Sequence, residues 1–496
     1  MSHIQISNLT FTHDGAQQPL FQSLNFQMDS SWKLGLVGRN GRGKTTLLQL
    51  LLGKHPYQGS IVSGLPFAYF PYPVEHPETP ALELLESLCP QAESWQCQRE
   101  LSLLDIDERI LDRPFSALSN GEQTKLLLAA LFLGETRFLL IDEPTNHLDL
   151  EARETLANYL RRKEGFILVS HDRSLLDACT DHTLAITPTG IDVQHGSYSV
   201  WRENKDQQEQ FEETQQNKLR HEVTKLAASA DRTSRWSDKV EQSKKGSKNS
   251  GLRPDRGYIG HKSAKMMKRS KSLDSRRQKA LEDAKALLQD AESSDSLKLH
   301  PLTHHAATLL SLQNLTISYG SSPLFSPLSL SLQSGQRLAL RGKNGSGKSS
   351  LLKLLLGEDI PHQGQLTLAS GLIISYVPQS SLHLKGSLDD HAKASQIDNT
   401  LFKTILRKLG FSREQFEKNL SQYSDGQKKK VLLATSLCQS AHLYIWDEPL
   451  NFIDLPSRLQ IEQLLLAFAP TLIMVEHDKA FCDMVATDLV HLSAQT

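Results

Sequence analysis

Gly38-Arg39-Asn40-Gly41-Arg42-Gly43-Lys44-Thr45 returns later in the chain as Gly342-Lys343-Asn344-Gly345-Ser346-Gly347-Lys348-Ser349. Both fit GxxxxGK[ST], the P-loop. Each follows a short apolar run (Lys33 to Val37; Arg337 to Leu340) and precedes a Leu-rich stretch (Thr46 to Leu52; Ser350 to Leu356), the strand and helix the motif requires. The glycines let the backbone wrap phosphate oxygens with its N–H groups turned inward, at the start of a helix whose dipole favours anions. On this reading Gly38, Asn40, Gly41, Gly43 and Thr46 in one copy, and Gly342, Asn344, Gly345, Gly347 and Ser350 in the other, surround phosphates. Lys44 and Lys348 reach the β and γ phosphates, and the hydroxyls of Thr45 and Ser349 hold Mg²⁺.

Working outward, the rest of each half repeats in register. Leu118-Ser119-Asn120-Gly121-Glu122-Gln123 aligns with Tyr423-Ser424-Asp425-Gly426-Gln427, each expected to open a helix, over Thr124 to Phe132 and Lys428 to Leu437. Phe138-Leu139-Leu140-Ile141-Asp142-Glu143 aligns with Leu443-Tyr444-Ile445-Trp446-Asp447-Glu448, an apolar strand ending in two carboxylates. The first acid, Asp142 or Asp447, suits Mg²⁺ through water; the second, Glu143 or Glu448, can polarise an attacking water. Leu148-Asp149 and Ile453-Asp454 follow, then Ser170-His171-Asp172 and Glu476-His477-Asp478 after strands Phe166 to Val169 and Thr471 to Val475. The offset stays near 305 residues, so the chain is a duplication.

The stretch between the halves differs in composition. From Arg232 to Lys279 there are sixteen Lys or Arg against four Asp or Glu, although the formal net charge of the chain is −1. Apolar residues flank this core at helical spacing: Leu219, Val223, Leu226 and Ala230 before it, Leu281, Ala284, Leu288 and Ala291 after it. Helix breakers fill Lys244 to Gly251 and Arg253 to Gly257. The pattern predicts an antiparallel helical hairpin with a basic tip, each arm of roughly 40 residues reaching about 60 Å. A solvated charged linker is the plainer reading, but a linker needs neither paired apolar flanks nor a cationic tip.

Length and composition exclude other classes. The 496 residues allow two or three domains, here 1–197, 198–305 and 306–496. No apolar run approaches the ~20 residues of a membrane span, and the N-terminus lacks a signal-peptide pattern, so a cytoplasmic location is expected. The five cysteines (Cys89, Cys97, Cys179, Cys438, Cys482) form no CxxC pair and read as reduced structural thiols.

With these motifs in order, both halves resemble nucleotide-binding domains of the ABC ATPase superfamily. The fold implied is α/β: two tandem ABC-type P-loop ATPase domains joined by a long antiparallel α-helical hairpin. The resemblance implies two shared ATP sites, the signature of one domain closing over ATP on the P-loop of the other. Site one would combine Lys44, Glu143 and His171 with Ser424, Gly426 and Gln427; site two would combine Lys348, Glu448 and His477 with Ser119, Gly121 and Glu122. His13 and Tyr319 align where the superfamily stacks an aromatic ring on adenine, Tyr319 being the better platform; either could instead simply cap its strand. Tyr69-Phe70-Pro71-Tyr72 aligns with Tyr376-Val377-Pro378-Gln379. Gln379 matches the amide that reaches Mg²⁺; Tyr72 cannot supply one, so unequal sites are expected, with site one hydrolysing more slowly. Asn146-His147 against Asn451-Phe452 adds to the asymmetry.

Two such domains without a membrane span, joined by a helical hairpin, resemble the ABC-F group. The stretch from Gly257 to Lys271, with Gly426-Gln427-Lys428-Lys429-Lys430-Val431 and Asp447-Glu448-Pro449-Leu450-Asn451-Phe452-Ile453-Asp454, looks like the Lsa-type antibiotic-resistance branch. In keeping with that branch, domain one has no inserted arm and little chain follows His477. The resemblance implies a 70S ribosome partner, with the protein in the E site and the hairpin reaching toward the peptidyl-transferase centre, shifting P-site tRNA and 23S rRNA so that lincosamides, pleuromutilins or streptogramin A are expelled. Lys244, Lys245, Lys248, Arg253, Arg256, Lys262, Lys265, Lys268 and Arg269 would neutralise rRNA phosphates, with Tyr258 and His261 against unpaired bases. Met266 and Met267 could join them or pack between the helices. No membrane, DNA or obligate oligomer is expected. A housekeeping ABC-F translation factor acting on stalled ribosomes stays open. The fused ATPase subunit of a membrane importer has no use for the basic segment, and a DNA-repair ATPase would bring zinc cysteines.

Overall fold

The computed structural model describes residues 3–211 except 14, 16, 17, 135, 136, 147, 188 and 189, residues 297–493 except 320 and 321, and isolated helical positions between 214 and 279. The chain divides into two units, Met1–Ser199 with Ser294–Thr496, and Val200–Ser293. In the smaller unit, residues 201–211 are helical, and the positions described from 261 to 279 are helical and exposed. Leu219, Val223, Leu226, Ala230, Leu281, Ala284, Leu288 and Ala291, whose spacing predicts the hairpin, lie outside the described residues.

The larger unit holds both copies of the repeat. In the first, strands run Phe67–Phe70, Phe138–Asp142, Phe166–Val169, Lys33–Val37, His182–Thr187 and Gly190–His195 across one sheet. All neighbours pair in parallel except the last two. In the second, Ile374–Val377, Leu443–Asp447, Leu472–Val475, Arg337–Arg341 and Asp488–His491 form an all-parallel sheet. These central strands are short apolar runs because both faces are covered; Phe138–Asp142 and Leu443–Asp447 are buried at every position. Each copy also carries a three-stranded antiparallel sheet, His3–Phe11 between Phe21–Asp29 and Gln58–Val62, and Thr308–Ile317 between Leu328–Gln333 and His362–Leu368. Leu47 and Leu48, or Leu351 and Leu352, on the P-loop helix fill the core between the two sheets. Leu297 and Leu299, just before the second copy, join a separate core with the helices of that half.

The signature helices begin earlier than the apolar pattern predicts, at Asn120–Leu133 and Asp425–Cys438. The reason is local. Ser119 and Ser424 are N-caps, accepting from the amides of Glu122 and Gln427, whose side chains reach back to the cap backbone and close capping boxes. Gly121 and Gly426 therefore sit in the first helical turn, where free N–H groups and the dipole favour an anion.

The halves meet along a seam that includes two ion pairs. Arg173 lies 2.5 Å from Glu462 with side chains 14% and 9% exposed, whereas Lys479 lies 3.3 Å from Glu154 with both about half exposed. Removing one partner of a buried pair strands a charge; removing one of an exposed pair does not. Arg173→Ala is therefore expected to destabilise the full chain by about 3–5 kcal/mol, and Lys479→Ala by less than about 1 kcal/mol; comparing their denaturation midpoints checks the order.

Candidate functional site

Both P-loops take the same conformation. Gly43 and Gly347 cap their helices in the left-handed region, at φ 89° and 86°. A Cβ on Gly43 would lie 2.8 Å from Leu20 and Phe21 carbons, and one on Gly347 3.0–3.2 Å from Leu324 and Phe325, so only glycine fits. Lys44 donates to the carbonyls of Gly38 (2.8 Å) and Arg39 (3.4 Å) and to Asn40 Oδ1 (3.3 Å). Lys348 donates to the carbonyls of Gly342 (2.7 Å) and Lys343 (2.8 Å). Burial lowers the affinity of both ammoniums for their protons, against the pull of nearby carboxylates. Buried cations held only by neutral oxygens are receptors for an anion.

Beside each lysine stand the paired acids. Thr45 Oγ1 donates to Asp142 Oδ2 at 2.8 Å; in the other half burial raises the Asp447 carboxyl against the lowering influence of Ser349. Asp447 Oδ1 is buried and has no hydrogen-bond partner, as does Ser346 Oγ in the adjoining loop. An orphaned carboxylate oxygen next to a hydroxyl and a glycine cradle fits a triphosphate with Mg²⁺. Thr45 with Asp142, and Ser349 with Asp447 and Gln379, could hold the metal.

The second acids follow in strained backbone. Glu143 and Glu448 have φ of 51° and 48°, rare for non-glycine residues and turning the side chain off the strand end. Glu143 lies 3.1 Å from His171 Nε2, and Glu448 3.5 Å from His477 Nε2. Their surroundings differ. Burial, with Asp142 alongside, pushes the Glu143 carboxyl up to about 8. Burial also opposes the charge on Glu448, but hydrogen bonds with His477 and Gln379 prevail and hold it at about 2. Asn451 Nδ2 adds a 2.6 Å bond to Glu448. Tyr72, aligned with Gln379, donates instead to the carbonyl of Leu127 at 3.1 Å. Its phenol is thus committed to the signature helix, while Tyr69 donates to Asp142 at 3.1 Å.

Each P-loop faces the signature of the other half. Ser119, Gly121 and Glu122 line a cleft of about 780 Å³ together with Lys348, Ser349, Ser350, Gln379, Glu448, His477 and the exposed ring of Tyr319. On the opposite side, Asn40 Nδ2 donates to the carbonyl of Phe452 at 2.8 Å, and a Cβ on Gly426 would lie 2.8 Å from that same Nδ2. Site one therefore brings Asn40 against Gly426. His13 is exposed, its ring edge-on to Phe11 at 4.8 Å and 6.5 Å from His55.

Asp149 and Asp454, after the acid-pair strands, make these interfaces unequal. Asp454 is 0% exposed; Oδ1 accepts from Ser457 N at 2.9 Å, while Oδ2 accepts from Asn40 N at 3.0 Å and Lys430 Nζ at 2.6 Å. Burial disfavours its charge, but Lys430, Ser457 and the Asn40 amide outweigh that and keep it ionised far below the usual carboxylate range. Asp149 accepts from Ala152 N at 3.0 Å and, across the seam, from Asn344 N at 3.4 Å. Neither aspartate nor Lys430 stood out from the motif pattern as a site residue; an acid repeated before each helix was the available signal. His147 lies outside the described residues. So do Lys244, Lys245, Lys248, Arg253, Arg256, Tyr258 and Lys262, while His261, Lys265, Lys268 and Arg269 are exposed helical positions.

With ATP confined to one site by Lys348→Ala or Lys44→Ala, Asp454→Ala is expected to weaken binding at site one more than about tenfold, a loss of ~1.4 kcal/mol. Asp149→Ala is expected to weaken site two less than about threefold; equilibrium titration with a fluorescent ATP analogue reads both.

Comparison with known proteins agrees with this geometry. The ABC transporter family model matches residues 21–146 and 325–451, just over half the chain. The ribosome protection protein VmlR of Bacillus subtilis is 28% identical, covering 99% of this chain and 86% of its own. The energy-dependent translational throttle protein EttA of Haemophilus influenzae is 25% identical over 92% and 86%. The fold matches that of an archaeal ribosome recycling factor, aABCE1, with TM-score 0.64, 19% identity and 98% and 88% coverage. No helix among the described residues is long and apolar enough to cross a membrane. Two copies of the ATP-binding domain, each built around its own P-loop and acid pair, show that the chain belongs to the ABC transporter family and is an ATPase.

Proposed function

We propose that this ATPase is an ABC-F protein of the Lsa-type branch, that it binds the 70S ribosome, and that it protects the peptidyl-transferase centre from lincosamides, pleuromutilins and streptogramin A. One observation carries the reading: the similarity to a ribosome protection protein runs through 99% of the chain, interdomain segment included, rather than stopping at the two ATPase domains. The composition of that segment supports it, because sixteen cations against four acids between Arg232 and Lys279 suit a surface of RNA phosphates. The segment forms a helical hairpin whose tip works beside P-site tRNA and 23S rRNA while the ATPase domains occupy the E site.

The mechanism follows from the shared sites. ATP on Lys44 is completed by the first-turn N–H groups around Gly426, and ATP on Lys348 by those around Gly121, so the nucleotide draws the halves together. Mg²⁺ supplies charge neutralisation at the phosphates. Glu143 with His171, and Glu448 with His477, orient the attacking water and take its proton. Cleavage removes the bridge, the halves part, and the ribosome is released. Gln379 lines the site with Glu448 whereas Tyr72 turns away to Leu127, so site one turns over more slowly than site two.

A second reading, a translation factor acting without drug, is favoured by the likeness to a protein named as a translational throttle. The two part company on drug susceptibility. Glu143→Gln with Glu448→Gln should leave ATP binding intact and trap the protein on ribosomes, so that it co-sediments with 70S particles in ATP; a double variant that stays in the supernatant refutes the switch. Inhibitory concentrations of the three drug classes should rise several-fold with the protein present and return to baseline when residues 244–262 are deleted. A susceptibility that never changes leaves the translation-factor reading.

A further inference from the structure

Two adjacent lysines on the second signature helix reach in different directions. Lys430 is 4% exposed; its Nζ donates to the Leu409 carbonyl at 2.7 Å and to Asp454 Oδ2 at 2.6 Å, the oxygen that also accepts from Asn40 N in P-loop one. Lys429 is 3% exposed; its Nζ donates to the Pro378 carbonyl at 3.0 Å and to the Asp447 carbonyl at 3.4 Å. Those two carbonyls belong to the peptide groups that carry Gln379 and Glu448. Neither lysine faces solvent, so neither serves as surface charge or solubility. A buried ammonium is costly unless its donors are used, and here one bond of Lys430 goes to site one and both bonds of Lys429 go to site two, the remaining Lys430 bond being to Leu409.

The first half has a counterpart to Lys430 but none to Lys429. At the aligned positions stand Thr124, which carries no charge, and Lys125, whose only recorded bond is to the Asp105 carbonyl at 3.4 Å. The contact from this helix to the peptides of Gln379 and Glu448 is therefore made by Lys429 in half two, where half one has Thr124.

We propose that Lys429 and Lys430 are positioning residues that relay closure of site one to site two: ATP drawing P-loop one onto Asp454 and the signature of half two holds this helix in place, and Lys429 then fixes the peptides bearing Gln379 and Glu448. The helix is a rigid body whose adjacent lysines contact residues of both sites, the kind of element that can carry coupling. The relay rests on the shared-site reading above and adds a direction to it: site one is the regulator, and site two, where Lys429 holds the peptides before Gln379 and Glu448, is the one whose geometry is set.

The test separates the two claims. In full-length protein carrying Lys348→Ala, ATP loads site one only, and binding is measured first with a fluorescent ATP analogue. Hydrogen exchange is then followed at the amides of Gln379, Ser380 and Ser381 in site two. ATP is expected to slow their exchange several-fold. Adding Lys429→Gln or Lys430→Gln should abolish that protection, and Lys429→Arg, which keeps the buried cation, should retain it. A merely structural lysine would change thermal stability without making distant protection depend on ATP. Bound ATP with no protection at 379–381, or the same protection in the Lys429→Gln and Lys430→Gln chains, overturns the relay alone. Failure of ATP to bind the Lys348→Ala chain overturns both the relay and the shared-site reading.

Discussion

A single buried carboxylate, that of Asp454, joins three parts of the molecule that are distant in sequence. It caps the helix Leu455–Phe468, accepts the ammonium of Lys430 on the signature helix, and accepts the amide of Asn40 in the opposite P-loop. A fully buried anion is tolerable only when each lone pair is matched by a donor. The geometry of site one is therefore set by an electrostatic requirement, since moving the P-loop away would leave the charge short of a donor. Arg458 extends the same logic, tying the carbonyls of Leu450 and Ile453 to Asp478 beside His477.

The duplication supplies two copies of this scheme, and the copies have diverged in polarity rather than in fold. Where half two uses Glu476 to hold the Leu450 amide at 2.7 Å, half one has Ser170 beside Thr145 at 3.3 Å. Burial pushes Glu476 up to about 7, ahead of the opposing bond from Leu450 and the charge of Arg458. Half two also carries Lys429 and Lys430, both buried, while both halves share a buried arginine–aspartate pair, Arg153 with Asp172 and Arg458 with Asp478. Backbone geometry is nevertheless conserved between the copies: the φ values of Gly43 and Gly347, and of Glu143 and Glu448, agree within a few degrees. Shape can be repeated by copying a local pattern; electrostatic environment depends on every neighbour.

Much of the fold was legible because its signals are local. The short apolar runs before each GxxxxGK[ST] and before each Asp-Glu pair read as strands, and they are. Helix starts were less legible. The apolar pattern put them at Thr124 and Lys428, whereas Ser119 and Ser424 begin them one turn earlier through capping boxes, a polar signal that hydrophobic periodicity does not register. Tyr72 read as a missing ligand, but only packing shows that its hydroxyl is used elsewhere, on Leu127.

The sequence by itself determined that the chain is two P-loop ATPase domains with their chemistry-bearing residues in a fixed order, because glycines, cap residues and acid pairs act over a few positions of backbone. What it left undetermined was decided by contacts across hundreds of residues: Asn40 with Phe452 and Asp454, and Arg173 with Glu462. In the sequence Lys428-Lys429-Lys430 stands out only as part of a motif that resembles the Lsa-type branch. Only when both halves fold together do two of those lysines lose water and find carbonyl and carboxylate oxygens instead, because burial and partner are properties of the assembled interior and not of any stretch of chain.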